Sequence, residues 1–204
     1  MFYDLFGDFE MKWQILVLVF CVCVCFSNLD QSSADIVSFQ LTGAAGDGLL
    51  EGNITPATGE VGTGGIGATG ITFNTDNNLI HIDLEWGSDF GYTDLSQSIL
   101  KMHLHGPTAS SGDDAFGELA PLIFAISNSS TFADSSTGGS VSDNFFIDAP
   151  DAQALLDGRM YVNVHFSDDD TGVIRGYLQA VPEPGSLFVL GTLGGMLLLR
   201  RRKS

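Results

Sequence analysis

Residues 79–86 read Leu-Ile-His-Ile-Asp-Leu-Glu-Trp, and every second side chain is large and apolar. Side chains along a strand point alternately to its two faces. This period of two therefore sets Ile80, Ile82, Leu84 and Trp86 on a buried face and His81, Asp83 and Glu85 on a wet one. A helix, with its period of 3.6, would scatter the same residues around its circumference. The pattern recurs. In residues 36–41, Val37, Phe39 and Leu41 share a face. In residues 99–105, Leu100, Met102 and Leu104 oppose Ile99, Lys101, His103 and His105. In residues 161–166, Val162, Val164 and Phe166 oppose Tyr161, Asn163 and His165. Residues 122–126 form a short apolar strand between Pro121 and Asn128, and 173–179 a last one after the turn at 168–172. The Asn/Asp-rich residues 74–78 are turn chemistry between strands 71–73 and 79–86. Residues 43–70 are glycine-rich, with weak strand signal around Ile54 and Val61. One segment has helical character, 148–158, with Pro150 in its first turn and Gly158 to cap its end. Many short strands and one short helix predict an all-β sandwich or barrel.

Charge narrows the function. The 204 residues carry 8 Lys+Arg and 25 Asp+Glu, a formal charge of −17. Proteins that bind nucleic acid present basic faces to phosphate, so this composition speaks against a nucleic-acid partner and against docking on anionic lipid. A hydrophobic fraction of 44% is enough for a packed core.

Both ends read as processing segments. Lys12 precedes an unbroken apolar run at 15–26, and Ser32-Ser33-Ala34 offers small residues for cleavage before Asp35. That is the layout of a secretory signal peptide, residues 1–34, with the start of translation expected at Met11 because Asp4, Asp8 and Glu10 do not suit its basic n-region. All three cysteines (Cys21, Cys23, Cys25) fall in this run, so the exported part is expected to hold no disulfide, thiol nucleophile or cysteine-ligated metal. At the other end, Pro182-Glu183-Pro184 precedes an apolar run at 187–199 and then Arg200-Arg201-Arg202-Lys203. The run is a short transmembrane helix of about 20 Å, and the basic residues would hold its end at the cytoplasmic face. This order of parts, residues 181–204, resembles the PEP-CTERM sorting signal of Gram-negative bacteria. The resemblance implies processing near Pro184 by an exosortase-type membrane enzyme and delivery to the cell surface, outer envelope or medium.

The middle of the chain also resembles a family. Leu104-His105-Gly106-Pro107 behind His103, Tyr161-Val162-Asn163-Val164-His165, and Gly172-Val173-Ile174-Arg175-Gly176 follow in the order of the CHRD domain's motifs, after Leu41-Thr42-Gly43 near its start. Gly106, Pro107, Tyr161, Asn163, Arg175 and Gly176 are the motif residues. The resemblance spans residues 35–180 as a domain and implies an immunoglobulin-like β-sandwich or barrel. Residues 46–51, Gly-Asp-Gly-Leu-Leu-Glu, depart from the family's Glu-Val-Pro-Pro-like segment after the first strand.

The chemistry concentrates in histidine. His103 and His105 lie two apart on one strand, about 7 Å from each other on one face. If the strand ending in His165 is its neighbour, three imidazoles converge, a good ligand set for Zn²⁺ or Cu²⁺, with Asp113, Asp114, Asp168 or water as fourth ligand. The plainer alternative is structural: histidines hydrogen-bonded to backbone around the Gly106-Pro107 turn, with Arg175 pairing a carboxylate or capping carbonyls. The oxygen-rich turns at 76–78, 113–114 and 168–170 are Ca²⁺ candidates without EF-hand spacing. No nucleophile elbow and no Walker-type loop is present. The sequence thus reads as an exported, non-enzymatic CHRD module that binds extracellular polysaccharide or a surface protein. The alternatives are a metal-binding protein or metal-dependent enzyme using His103, His105 and His165, and an uncleaved, membrane-anchored domain.

Overall fold

A computed structural model describes residues 35–54, 62–135, 137–166 and 172–182, and the structural statements that follow concern these residues. The segments read as signal peptide and as membrane helix, together with Glu183, Pro184, Asp168 and the terminal basic residues, lie outside them. Among the described residues no helix is long and apolar enough to cross a membrane.

Nine strands form one antiparallel sheet: β1 (Ile36–Thr42), β2 (Gly64–Asn74), β3 (Leu79–Trp86), β4 (Lys101–His105), β5 (Leu122–Ala125), β6 (Ala133–Ser135), β7 (Gly138–Phe146), β8 (Tyr161–His165) and β9 (Ile174–Ala180). Their order across the sheet is β5-β4-β8-β9-β1-β2-β3-β7-β6. The sheet curls on itself. Phe124 of β5 stacks on Phe145 of β7 with ring centroids 4.6 Å apart, although the two strands stand near opposite ends of that order. Between the facing halves lies one apolar core that includes Leu41, Phe73, Ile80, Ile82, Leu84, Trp86, Met102, Leu104, Val162, Val164 and Leu178. Each such side chain contributes about 1.5–3 kcal/mol by leaving water. The four inward residues expected on β3 are all fully buried. The one helix, α1 (Ala149–Leu156), starts after Asp148 and presses Ala152, Ala154 and Leu155 onto the core.

Five expectations need correction. Residues 64–70 are not a glycine loop but the first half of β2, which carries a bulge: the register jumps from Ile66↔Leu84 to Ile71↔Ile82. Asp83, expected in water, is buried opposite that bulge, where its carboxylate accepts the Thr69 N–H (2.7 Å) and hydroxyl (2.6 Å). A Cβ on Gly67 would lie 2.3 Å from the same carboxylate, so the bulge requires a glycine there. Leu100 is 51% exposed instead of sharing the face of Met102. The Ile99 N–H donates to the Asp134 carboxylate at 2.8 Å, and Ile99 takes the buried place while the strand starts at Lys101. Around Ile54 the chain forms a 3-10 turn (Glu51–Asn53) instead of a strand, and Val61 lies outside the described residues. The apolar run at 122–126 ends as a strand at Ala125, and Ile126 opens another 3-10 turn.

β6 and β7 have no counterpart in the sequence reading. β7 contains Gly, Ser, Asp and Asn, and of its hydrophobic residues Val141 alone is fully buried. Its place is set from outside, by Trp86, whose indole N–H donates to Asp134 of β6 at 3.0 Å. The ring lies against Gly139, where a Cβ would meet it at 2.5 Å and the Ala133 carbonyl at 2.2 Å. Gly139→Ala is therefore expected to cost about 1–3 kcal/mol by overpacking. It would show as a lower denaturation midpoint with unchanged slope; an unchanged midpoint would contradict this packing.

Candidate metal centre

β4 and β8 run antiparallel with His103 opposite Asn163, His105 opposite Tyr161 and Lys101 opposite His165. Alternation then divides the pair cleanly. Met102 and Leu104 of β4 and Val162 and Val164 of β8 enter the apolar core. His103, His105, Tyr161, Asn163 and His165 share the other face. β9 continues it, with Arg175 beside Asn163 and Tyr177 beside Tyr161.

The segment between β4 and β5 folds back over this face. Tyr161 accepts the Ala120 N–H at 3.0 Å, Tyr177 accepts the Gly117 N–H at 2.7 Å, and the Glu118 carboxylate accepts the Ala109 N–H at 2.7 Å. Ala115 is buried with Tyr161 and Tyr177 in a small apolar cluster of its own. The glycines of the motif are explained by close approach. A Cβ on Gly106 would lie 2.7 Å from Met160, and one on Gly176 would lie 2.8 Å from the Gly48 carbonyl.

The three histidines do converge. One ligand nitrogen from each of His103, His105 and His165 lies within 4.8 Å of the others, with His165 buried and the other two half-buried. Ring centroids are 5.0 Å apart for His103–His165, 5.5 Å for His103–His105 and 6.2 Å for His105–His165. Metal–imidazole bonds are about 2.0–2.1 Å, so the rings must close inward by up to about 0.7 Å each on a central ion. The surroundings orient the His105 ring as an outer ligand shell would. His105 Nδ1 lies 3.0 Å from the Ala120 carbonyl, which can only accept, so this nitrogen carries the proton and the Nε2 carries the lone pair. His105 also stacks on Tyr161 at 5.2 Å and 4°. The Asn163 amide N–H donates to His165 Nε2 at 3.1 Å, so a metal at that nitrogen would have to displace the amide.

Behind the histidines sits a cation. Arg175 is 1% exposed. Its Nε donates to the Asn163 carbonyl oxygen (3.4 Å), its Nη1 donates to the Glu118 backbone carbonyl (3.1 Å) and the Tyr177 hydroxyl (3.2 Å), and its guanidinium lies 4.0 Å above the Tyr161 ring. The expected carbonyl cap is there. A carboxylate partner is not, among the described residues. Burial keeps the Tyr161 hydroxyl above its ordinary pKa despite this charge.

Of the other sequence candidates, Asp113 and Asp114 are exposed on a 3-10 turn and do not join the histidine group; Asp168 lies outside the described residues. The turn at 74–78 uses its oxygens on itself: Asn74 accepts the Asp76 N–H and Asn77 accepts the Leu79 N–H. Sequence reasoning missed Tyr177 and the carbonyls of Glu118 and Ala120. Backbone acceptors leave no trace in residue identity, but Tyr177 stands two residues after Arg175 on a recognised strand and was open to discovery. It also missed Asn53, buried at the far edge of β9, whose amide donates to the Arg175 carbonyl at 2.9 Å.

Burial, then the neighbouring His165, His105 and Lys101, pushes His103 down to about 4 from 6.5. At neutral pH the ring is uncharged, the state a metal ligand needs. The unfolded chain protonates this group near 6.5 and the folded one only near 4, so between those values the unfolded state binds more protons and stability is lost as pH is lowered. The ring is half-buried, and solvent moderates the effect. Metal-free protein is expected to lose thermal midpoint as pH drops from 6.5 to 4, and His103→Asn to lose less over the same window; superimposable profiles would contradict the assignment.

No curated protein and no solved structure is matched by this chain. The CHRD domain does match, over residues 38–178, which takes in β1, the histidine strands and the Arg175 strand. The chain belongs to the CHRD domain family.

Proposed function

We propose that this protein is an exported, surface-held CHRD module whose working part is a three-histidine centre for a divalent transition metal. The observation that carries the reading is the meeting of three imidazole nitrogens from two paired strands within 4.8 Å, with one ring's tautomer set by a backbone carbonyl. Neutral imidazoles in this number suit Zn²⁺ and Cu²⁺, and do not suit Ca²⁺, which takes oxygen ligands. Ca²⁺ at the acidic turns is the weaker reading, because the turn at 74–78 is already satisfied internally.

Export rests on the apolar run at 15–26 and the small residues before Asp35. Sorting rests on Pro182-Glu183-Pro184, the apolar segment 187–199 and the basic residues Arg200, Arg201, Arg202 and Lys203. An exosortase-type enzyme is the processing partner, and the membrane is a transient station before release or attachment. Pro182, the last described residue, is exposed, as a processing site must be. The strongly acidic exterior suits a solvated extracellular module that meets polysaccharide or a surface protein.

Two measurements test the parts separately. Elemental analysis of the exported protein after dialysis at neutral pH is expected to give about one Zn or Cu per chain, and much less in His103→Ala and His165→Ala that keep wild-type β-sheet circular dichroism. Equal metal in folded variants would exclude the centre. For sorting, the mature mass is expected to lack residues 1–34 and the basic terminus; retention of Arg200–Lys203 would show an uncleaved anchor instead.

A further inference from the structure

Three histidines leave a tetrahedral ion one ligand short. Among the described residues no carboxylate joins the group: Asp113 and Asp114 are exposed on their turn, and Asp168 lies outside the described residues. A metal held this way keeps an open position, the arrangement of reactive rather than structural sites. His103 and His105 are only half-buried, so solvent reaches the group.

Arg175 decides what that position prefers. It is a full charge at 1% exposure, and its described partners (Asn163, the Glu118 carbonyl, Tyr177 and the Tyr161 ring) are all neutral. Its Nη2 is buried with no hydrogen-bond partner. Leaving a charge out of water with no counter-ion is costly, and a protein with net charge −17 has carboxylates in plenty for that position. The charge is also coupled to the histidines. One Asn163 amide lies between Arg175 and His165, and one Tyr161 ring lies between Arg175 on its face and His105 stacked at 4°. A divalent ion beside an uncompensated guanidinium makes this face strongly electropositive, opposite in sign to the rest of the protein.

We infer that the metal-loaded centre takes a small anion as its fourth ligand, with Arg175 supplying the field that favours an anion over neutral water. This rests on the metal reading proposed above. The probe is azide, titrated into the copper(II)-loaded protein purified as exported. A saturable ligand-to-metal charge-transfer band and a changed electron paramagnetic resonance spectrum are expected. Normalised to bound copper, Arg175→Gln should bind azide about tenfold more weakly, while Arg175→Lys, which keeps the charge, should stay within about threefold of wild type. Equal azide affinity in Arg175→Gln would overturn the part given to Arg175. Should Arg175→Gln fail to fold, the wild type carries the test: one copper per chain with no azide response overturns the open position, and the metal centre stands. No bound copper at all would instead remove the metal reading itself.

Discussion

The structure depends on the register of β4 against β8. With His103 opposite Asn163, the alternating residues of both strands divide into Met102, Leu104, Val162 and Val164 on the core side and His103, His105, Tyr161, Asn163 and His165 on the other. A slip of one residue in β4 would turn His103 and His105 into the apolar core and Met102 and Leu104 out of it, and a slip in β8 would do the same with His165, Val162 and Val164. The burial that stabilises the sandwich is therefore the same interaction that assembles the histidines. They do not need a dedicated scaffold, because the hydrophobic pattern of their neighbours fixes them.

The polar face is covered at its tyrosines and arginine and reached by solvent at His103 and His105, and this shapes its chemistry. The segment joining β4 to β5 is fastened over it by N–H groups of Gly117 and Ala120 donating to two tyrosine hydroxyls, and by the Arg175 guanidinium donating to the Glu118 carbonyl. Each aromatic ring has two tasks. Tyr161 holds the covering segment through its hydroxyl and separates Arg175 from His105 with its faces. Tyr177 holds Gly117 and accepts from Arg175. Neutral partners satisfy most of a buried cation without cancelling its charge, which is a costly arrangement unless the site uses the field.

The histidine strands, β3 and the helix were legible because their apolar residues alternate or recur without interruption and their turns carry Asn, Asp, Pro or Gly. The convergence of His165 with the other two followed from strand adjacency alone, which the sequence could state as a condition but not decide. The first half of β2 and all of β7 were illegible for one physical reason. Gly67 and Gly139 stand where another group, the Asp83 carboxylate or the Trp86 ring, occupies the space of a side chain. A strand whose positions are filled by its neighbours reads as a loop. Asp83 was misplaced for the complementary reason: its burial is compensated by Thr69 across a bulge that no local pattern announces. Arg175 was foreseen as a carbonyl cap or an ion pair, and the choice between them lay in the fold of the covering segment.

The central claim is that one register brings three imidazoles onto one metal ion. X-ray absorption at the metal edge of the loaded protein tests it most directly. A first shell at about 2.0 Å is predicted, containing three imidazole nitrogens, recognisable by their outer-ring scattering, plus one ligand that is not an imidazole. A shell dominated by oxygen, or one with a single imidazole, would place the metal elsewhere and contradict it.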